Sequence, residues 1–313
     1  HMVHTVYQFE ELGSIQAPLH LALGVFDGVH IGHQAVIQSA VDAACLDAGV
    51  AGVLTFDPHP IQLLAPRVAP QRILASLDHK RDLLAELGVE LLVVIPFTRE
   101  FAEREAHDFL SSIVSNTPQL SSLSIGEDWR FGKDRRGDTQ LLQEFGEKHD
   151  VKISSLPPVM LEGDRVSSTR IRQAIRDGNL EAASSMLGRK YTVLGTVIEG
   201  EKIGRTLGHP TANLKVYNEQ LPCNGVWAVN CVIGDGEPHL GAANLGVRPS
   251  IDGSNKKRLL EVHLIDFEGD IYGQDMEVTF LQLIRNEQKF ESLDALKDQI
   301  TKDVSFCKKL RNS

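Results

Sequence analysis

Sulfur is scarce in this chain and nowhere grouped. Four cysteines among 313 residues, Cys45, Cys223, Cys231 and Cys307, stand far apart, with no CxxC and no paired Cys/His spacing. That pattern favours reduced thiols in a cytoplasmic protein over a disulfide frame or a zinc site. No apolar run approaches the ~20 residues of a membrane-spanning helix. The beginning shows no signal-peptide pattern, and His1-Met2 reads as an expression remnant. A basic run is missing too: 32 Lys and Arg face 42 Asp and Glu, net charge −10, with most of the acidic excess before Leu187. Such a balance argues against nucleic acid or an anionic membrane as a partner. There is no Walker A sequence, no internal repeat and no low-complexity segment.

What is present divides into two grammars. The first half alternates continuous apolar runs, "HLALGVF" (20–26), "AGVLTF" (51–56), "LLVVIPF" (91–97), "LSSLSIG" (120–126) and "VKISSL" (151–156), with amphipathic helical stretches. Continuous hydrophobicity is what a parallel strand covered on both faces requires, and the βαβα order predicts a doubly wound sheet. Its ligand should lie at the carboxyl ends of the strands. From Lys190 onward, short alternating strands are cut by Gly, Asn and Pro, which predicts a small antiparallel β-barrel closed by a helix over about 292–310. The expected division is 3–186 for the α/β domain and 187–313 for the barrel, long enough for each to bury its own core.

The residues with chemistry begin at "LALGVFDGVHIGHQAVIQSA" (21–40). Two histidines, His30 and His33, and three glycines, Gly24, Gly28 and Gly32, crowd one strand-to-helix junction. Free N–H groups at a helix start attract anions, and glycine lets backbone approach a ligand closely. Imidazolium is disfavoured there, so the two rings are read as mostly neutral N–H donors, suited to a phosphoryl group that gains charge in its transition state. A helix cap plus a solvated ring is the plainer alternative for a lone histidine.

Further along, "SIGEDWRFGKDRRGD" (124–138) mixes Asp128 and Trp129 with Arg130, Lys133, Arg135 and Arg136. "VSSTRIR" (166–172) sets Ser167, Ser168 and Thr169 at a helix start with Arg172 one turn in. The hydroxyls are either an anion cradle or an N-cap alone, and Arg172 suits polyphosphate. In "GEKIGRTLGHPTANL" (200–214), Gly200, Gly204 and Gly208 are spaced for a phosphate flap, with a plain Gly-rich hairpin as the alternative. Thr211 and Asn213 offer hard oxygens for Mg²⁺ beside phosphate. Glu261 sits on an otherwise apolar strand, as a general base or as a solvent-facing carboxylate.

With these motifs in order, the chain resembles the prokaryotic bifunctional riboflavin kinase/FAD synthetases. The first half carries "GVFDGVHIGH", "TFDPHP", "IGEDWRFG" and "VSSTRIR"; the second carries "GRTLGHPTAN", "GVWAV", "NLGVRPS", "LEVHLIDF" and "IRNEQKF". The resemblance implies that riboflavin and ATP give FMN in the barrel, and that FMN and ATP give FAD and pyrophosphate in the α/β domain. It implies ATP with Mg²⁺, and flavins as substrate and product with no resident redox cofactor. The partners it implies are riboflavin, FMN, FAD and ATP, on a monomer or weak homo-oligomer.

Residue by residue, the resemblance makes His30, His33 and Arg172 the stabilisers of adenylyl transfer. It puts Phe26, Asp27, Gly28, Asp128, Ser167, Ser168 and Thr169 on the nucleotide, and Phe56, Pro58, Pro60 and Phe131 on the flavin. In the barrel it implies Gly204, Arg205, Thr211 and Asn213 for ATP, the last two also for Mg²⁺. Glu261 becomes the base for the ribityl hydroxyl, and Arg285 and Phe290 close over the isoalloxazine. Three residues depart from the family pattern: His209 for the Phe before PTAN, Trp227 for Tyr in GVYAV, and Trp129 for Phe in DFRFG. The competing readings are an enzyme with one live activity, an HxGH transferase for another phosphate ester, and a flavin-binding protein with a decayed site.

Overall fold

The computed structural model describes residues 2–67, 73–200, 209–217, 220–249 and 256–311. The chain divides into two compact units, His1–Arg170 and Ile171–Ser313. In the first, β1 (His4–Val6), β2 (Leu19–Leu23), β3 (Val50–Asp57), β4 (Leu91–Pro96), β5 (Leu120–Gly126) and β6 (Lys152–Leu156) form one parallel sheet. Their spatial order is β1-β4-β3-β2-β5-β6. Helices α1 (Ile31–Asp47), α2 (Pro60–Leu64), α3 (Leu77–Glu86), α4 (Arg99–Ala102), α5 (Ala106–Asn116) and α6 (Thr139–His149) lie between the strands. A two-stranded hairpin, β7 (Met160–Leu161) and β8 (Asp164–Arg165), precedes α7 (Ser168–Arg176).

All five residues of β2 are buried, because successive side chains point to opposite faces and both faces are covered. Leu19, Leu21 and Leu23 join Phe109 and Leu110 of α5 and Leu142 of α6 in one core. Ala22 faces the other way, into a second core with Ile37 and Ala40 of α1 and Leu84 of α3. The expected doubly wound sheet is therefore present. From β2 the chain proceeds to β3 and β4 on one side, then returns to β5 and β6 on the other. The switch between β2 and β5 opens a crevice at their carboxyl ends. Sequence patterning missed β1, whose three residues are too few for a period, and the equally short β7–β8 hairpin.

The division falls within α7; beyond it, α7 and α8 (Leu180–Leu187) are separated by Gly178, φ +75°, and Asn179, whose side chain caps α8 by accepting from the Ala182 N–H at 3.2 Å. Then β9 (Thr192–Ile198), β10 (Ala212–Val216), β11 (Gly225–Ile233), β12 (His239–Pro249), β13 (Lys256–Leu264) and β14 (Asp275–Arg285) close a barrel in the order β10-β13-β12-β11-β14-β9. All its pairings are antiparallel. Trp227 and Phe280, edge to face at 5.8 Å, are buried within it. The last helix, α9 (Leu293–Arg311), packs on β11 and β12, with Cys307 beside Ala228 and Ala242. Burial pushes the Cys231 thiol up to about 12 and the Cys307 thiol up to about 11, so both remain protonated packing groups at neutral pH.

The compact units divide at residue 170, whereas the change in sequence grammar lies near Leu187. Helix α8 buries Leu180, Ala183, Met186 and Leu187 and contacts β14, and a Cβ on Gly178 would lie 3.1 Å from Cys223 Sγ. Full burial of one such large apolar side chain stabilises by about 1.5–3 kcal/mol. A fragment of residues 171–313 should therefore melt roughly 10 °C or more above one of residues 187–313. Circular dichroism melts of the two would check this; equal midpoints would show that α7 and α8 add nothing to the barrel.

Candidate functional site

Between Leu23 and Ile31 the backbone turns left-handed three times, at Phe26 (φ +52°), Gly28 (+84°) and Val29 (+46°). An L-residue in that region costs about 1–2 kcal/mol, and a β-branched valine is especially unsuited to it. The loop is held there from several sides. The Val25 carbonyl accepts from the Thr55 hydroxyl of β3 at 2.9 Å and the Lys80 ammonium of α3 at 2.8 Å. The Asp27 carboxylate accepts the N–H groups of Leu74 at 3.0 Å and Ala75 at 3.2 Å. Ser168 donates to the Asp27 carbonyl at 2.9 Å, and Gln34 to that of Val29 at 2.9 Å.

His30 is the N-cap of α1: its Nδ1 accepts the His33 N–H at 3.2 Å. Use of that lone pair places the ring proton on Nε2 and keeps His30 a neutral donor. The rings of His30 and His33 stack, centroids 3.5 Å apart and planes 17° apart, and Phe26 meets His33 edge-on at 5.4 Å. This packing explains two of the glycines. A Cβ on Gly32 would fall 2.9 Å from the His30 ring, and one on Gly24 would fall 3.0 Å from the Phe26 ring.

Both histidines line a cavity of ≈ 740 Å³ at the carboxyl ends of β2 and β5, as the switch-point rule requires. Of the residues expected from sequence, Phe26, His30, His33, Phe56, Pro60, Asp128, Phe131, Ser167 and Ser168 line it. Asp27 does not: its buried carboxylate is committed to the backbone at 74 and 75, so its part is to hold the loop. Gly28 lies against Leu74, and Pro58 and Thr169 are exposed away from the lining. Arg172 is buried on α7, also outside the lining. Ser167 combines two readings, since it borders the cavity while accepting the Arg170 N–H at 3.1 Å as a helix cap.

One wall is aromatic. Phe56 contacts Phe97 and Phe101, each at 5.8 Å, Phe101 meets Phe109 at 5.7 Å, and Trp129 stacks on Phe131 at 4.8 Å and 17°. Trp129 thus keeps a flat apolar surface where it departs from the family pattern. Sequence reasoning missed Phe97, Phe101 and Phe109, although Phe97 directly follows an apolar strand and Phe101 lies four residues on. It also missed the cavity's Arg104 and Arg165. On the rim Arg165 pairs with Asp128 at 2.5 Å, Arg130 with Asp138 at 3.1 Å and Lys133 with Glu103 at 3.1 Å.

In the barrel, strand register places Asn213 of β10 directly opposite Glu261 of β13. Ala212, Leu214, Leu260 and Val262 are buried on the inward side, so Asn213, itself buried, and Glu261 share the opposite face with His263, and Thr211 directly precedes β10. Gly200 adjoins this face: a Cβ there would fall 1.7 Å from the Asn213 amide nitrogen. His209 meets His263 edge to face at 5.1 Å. Burial, then His263 and Lys297, push its pKa down, so it serves as a neutral aromatic ring at neutral pH. Arg285 forms a bidentate pair with Asp303 of α9 at 2.9–3.2 Å and lies 5.6 Å from the Phe290 ring centroid. Gly204 and Arg205 lie outside the described residues.

A family model described as FAD synthetase matches residues 13–170, and one described as riboflavin kinase matches residues 187–311. The chain is 40% identical over 302 residues to the bifunctional riboflavin kinase/FMN adenylyltransferase of Escherichia coli (strain K12), covering 96% of this chain and 94% of that one. Its counterpart from Haemophilus influenzae is 40% identical over 293 residues, 94% of either chain. A Streptococcus pneumoniae structure described as a macrolide-efflux protein has a TM-score of 0.81 and 30% identity, covering 98% and 99% of the two chains. That likeness is one of fold; among the described residues no helix is long and apolar enough to cross a membrane.

The seat of His30 under Gly32 is open to test. Gly32→Ala gains up to about 1 kcal/mol of helix propensity, and loss of an N-cap costs about the same. Stability should therefore change little while His30 is displaced. Imidazole ¹⁵N NMR should show the Nε2–H tautomer of His30 in the parent and a mixed signal in Gly32→Ala. An unchanged tautomer would show that the glycine does not seat the ring.

Proposed function

The chain belongs to the bifunctional riboflavin kinase/FMN adenylyltransferases, and we propose that His30 and His33 carry its adenylyl transfer and Glu261 its phosphoryl transfer. The enzyme phosphorylates riboflavin to FMN with ATP, then joins FMN to the adenylyl group of a second ATP, giving FAD and pyrophosphate.

In adenylyl transfer an FMN phosphate oxygen attacks the α-phosphorus, and the bond to the pyrophosphate bridging oxygen breaks. Charge grows on the α-phosphate oxygens and on the leaving pyrophosphate. The single observation that supports this assignment is the stacked His30–His33 pair at the start of α1, on the wall of the switch-point cavity. Neutral imidazole N–H donors and helix N–H groups held before the reaction meet that charge without reorganising. Ser168 favours the same reading, since it ties α7 to the loop that ends in His30. Arg172, one turn further along α7, is assigned to the polyphosphate. The aromatic wall takes the isoalloxazine through stacking.

For the kinase, Glu261 lies opposite Asn213, and Thr211 directly precedes the strand that carries Asn213. In this reading Glu261 accepts the proton of the ribityl hydroxyl as its oxygen attacks the γ-phosphorus, and ADP leaves. Among the described residues no group of three His, Cys, Asp or Glu could hold a metal ion. Neutral oxygens from Thr211 and Asn213 fit a Mg²⁺ that arrives on the nucleotide and keeps phosphate oxygens as its main ligands. When bound, the cation would neutralise phosphate charge. Arg285, already committed to Asp303, is assigned to orienting Phe290 at the flavin rather than to binding the ring itself. Four separate free thiols favour a cytoplasmic setting.

Chromatography of flavins after incubation with riboflavin, ATP and Mg²⁺ tests both assignments. His33→Ala should lower kcat for FAD formation by roughly 10²–10³ and leave FMN formation intact, the scale for losing one preorganised donor. Equal loss of both activities would make His33 structural. Glu261→Gln should lower riboflavin phosphorylation by ~10²–10⁴ while FAD synthesis from supplied FMN continues. Normal kinase turnover in that variant would leave Glu261 a solvent-facing strand residue.

A further inference from the structure

We propose that Lys80 is a positioning residue for adenylyl transfer, one that sets His33 through the Val25 carbonyl and the Phe26 ring. The proposal rests on the role given to His33 above.

Lys80 lies in the second half-turn of α3 and is only 5% exposed. Lysine is almost never so buried without a partner. Here the ammonium donates to the Val25 carbonyl at 2.8 Å. Burial pushes its pKa down, while Asp27 and Asp57 act in the opposite sense. No step of the chemistry described above uses this group.

The Val25 carbonyl does not need the lysine for satisfaction, because the Thr55 hydroxyl already bonds it at 2.9 Å. Desolvating an ammonium to add a second bond is costly. What the second bond adds is geometry: both lone pairs of the carbonyl are occupied, and the peptide plane between Val25 and Phe26 can no longer rotate. That plane adjoins the left-handed Phe26, φ +52°. Strain of this kind persists only where the surroundings over-determine it. The Phe26 ring is confined between Gly24, where a Cβ would lie 3.0 Å away, and the edge-on His33 ring at 5.4 Å. A rotation of the peptide therefore moves the Phe26 ring against His33, and His33 is stacked on His30 at 3.5 Å.

Lys80→Met keeps the length and apolar stem and removes the ammonium. Its kcat for FAD formation should fall by up to about 10²-fold, the scale of an ångström of misplacement at a reacting centre. KM for FMN and ATP should stay within roughly twofold, since the loss lies in the transition state. Riboflavin phosphorylation should be unchanged. A double-mutant cycle separates positioning from mere support of the fold. In a His33→Ala background, Lys80→Met should cost little more, because there is no ring left to misplace. Thr55→Val acts on the same carbonyl with nearly the same shape and should give the same signature, so it serves if Lys80→Met does not fold. Wild-type kcat in the folded variants, or losses that multiply with His33→Ala, would overturn the role of Lys80 alone. Full activity in His33→Ala by itself would overturn the role of His33, and this proposal with it.

Discussion

Two residues that ordinarily avoid left-handed backbone, Phe26 and Val29, are held in it between β2 and α1, and the cavity at the strand ends is organised around that constraint. Relaxation of either residue would be favourable by about 1–2 kcal/mol in isolation. Relaxation is prevented by contacts from β3, α3, α7 and the backbone at 74 and 75, each through a different side chain. The outcome is that α1 begins where two imidazoles can stack over its first turn. Asp27, part of the most conspicuous motif in the chain, belongs to this support. Its buried carboxylate would be expensive to leave unpaired, and two backbone N–H groups meet it.

The two units use their sheets in opposite ways. In the parallel sheet both faces are packed under helices, so chemistry is confined to the strand ends and the loops that leave them. The barrel fills its interior with Trp227, Phe280 and aliphatic side chains, so polar groups take the opposite face of its strands, even where, as at Asn213, that face is covered. There the alternation of β10 and β13 sorts them: Leu260 and Val262 inward, Glu261 and His263 outward, with Asn213 opposite Glu261. A row of oxygens and imidazoles follows from the two-residue period of a strand, without strain. His209 fits into this row because its pKa is pushed down and the ring packs on His263 as an aromatic group.

Two of the residues expected at ligands from sequence, Asp27 and Arg285, also have protein partners in the structure. One is committed to the backbone N–H groups of Leu74 and Ala75, the other to Asp303 eighteen positions away on α9. A motif shows that a charged residue is present at a junction, but not which way it turns, because its partners arrive from distant segments. Phe97, Phe101 and Phe109 went unread for the converse reason. Each is an ordinary apolar residue in an amphipathic context, and only the folding of α4 and α5 over the end of the sheet makes them one wall with Phe56.

The sequence by itself determined the two grammars, the parallel strands, the closed antiparallel barrel and the position of the His-rich junction past a strand end, although the run at 151–156, expected to be buried, forms the half-buried edge strand β6. These depend on periodicity and on local backbone preference, which are short-range properties. The order of motifs along the chain likewise determined the family. Tertiary structure alone decided which side chains face the cavity, that Lys80 and Thr55 share one carbonyl, and that Asn213 stands opposite Glu261. It also decided that α8 packs on β14, which no local pattern announces. Each of these depends on strand register or on contact between residues tens of positions apart. A one-residue shift of register would turn Glu261 inward while hardly altering any local pattern.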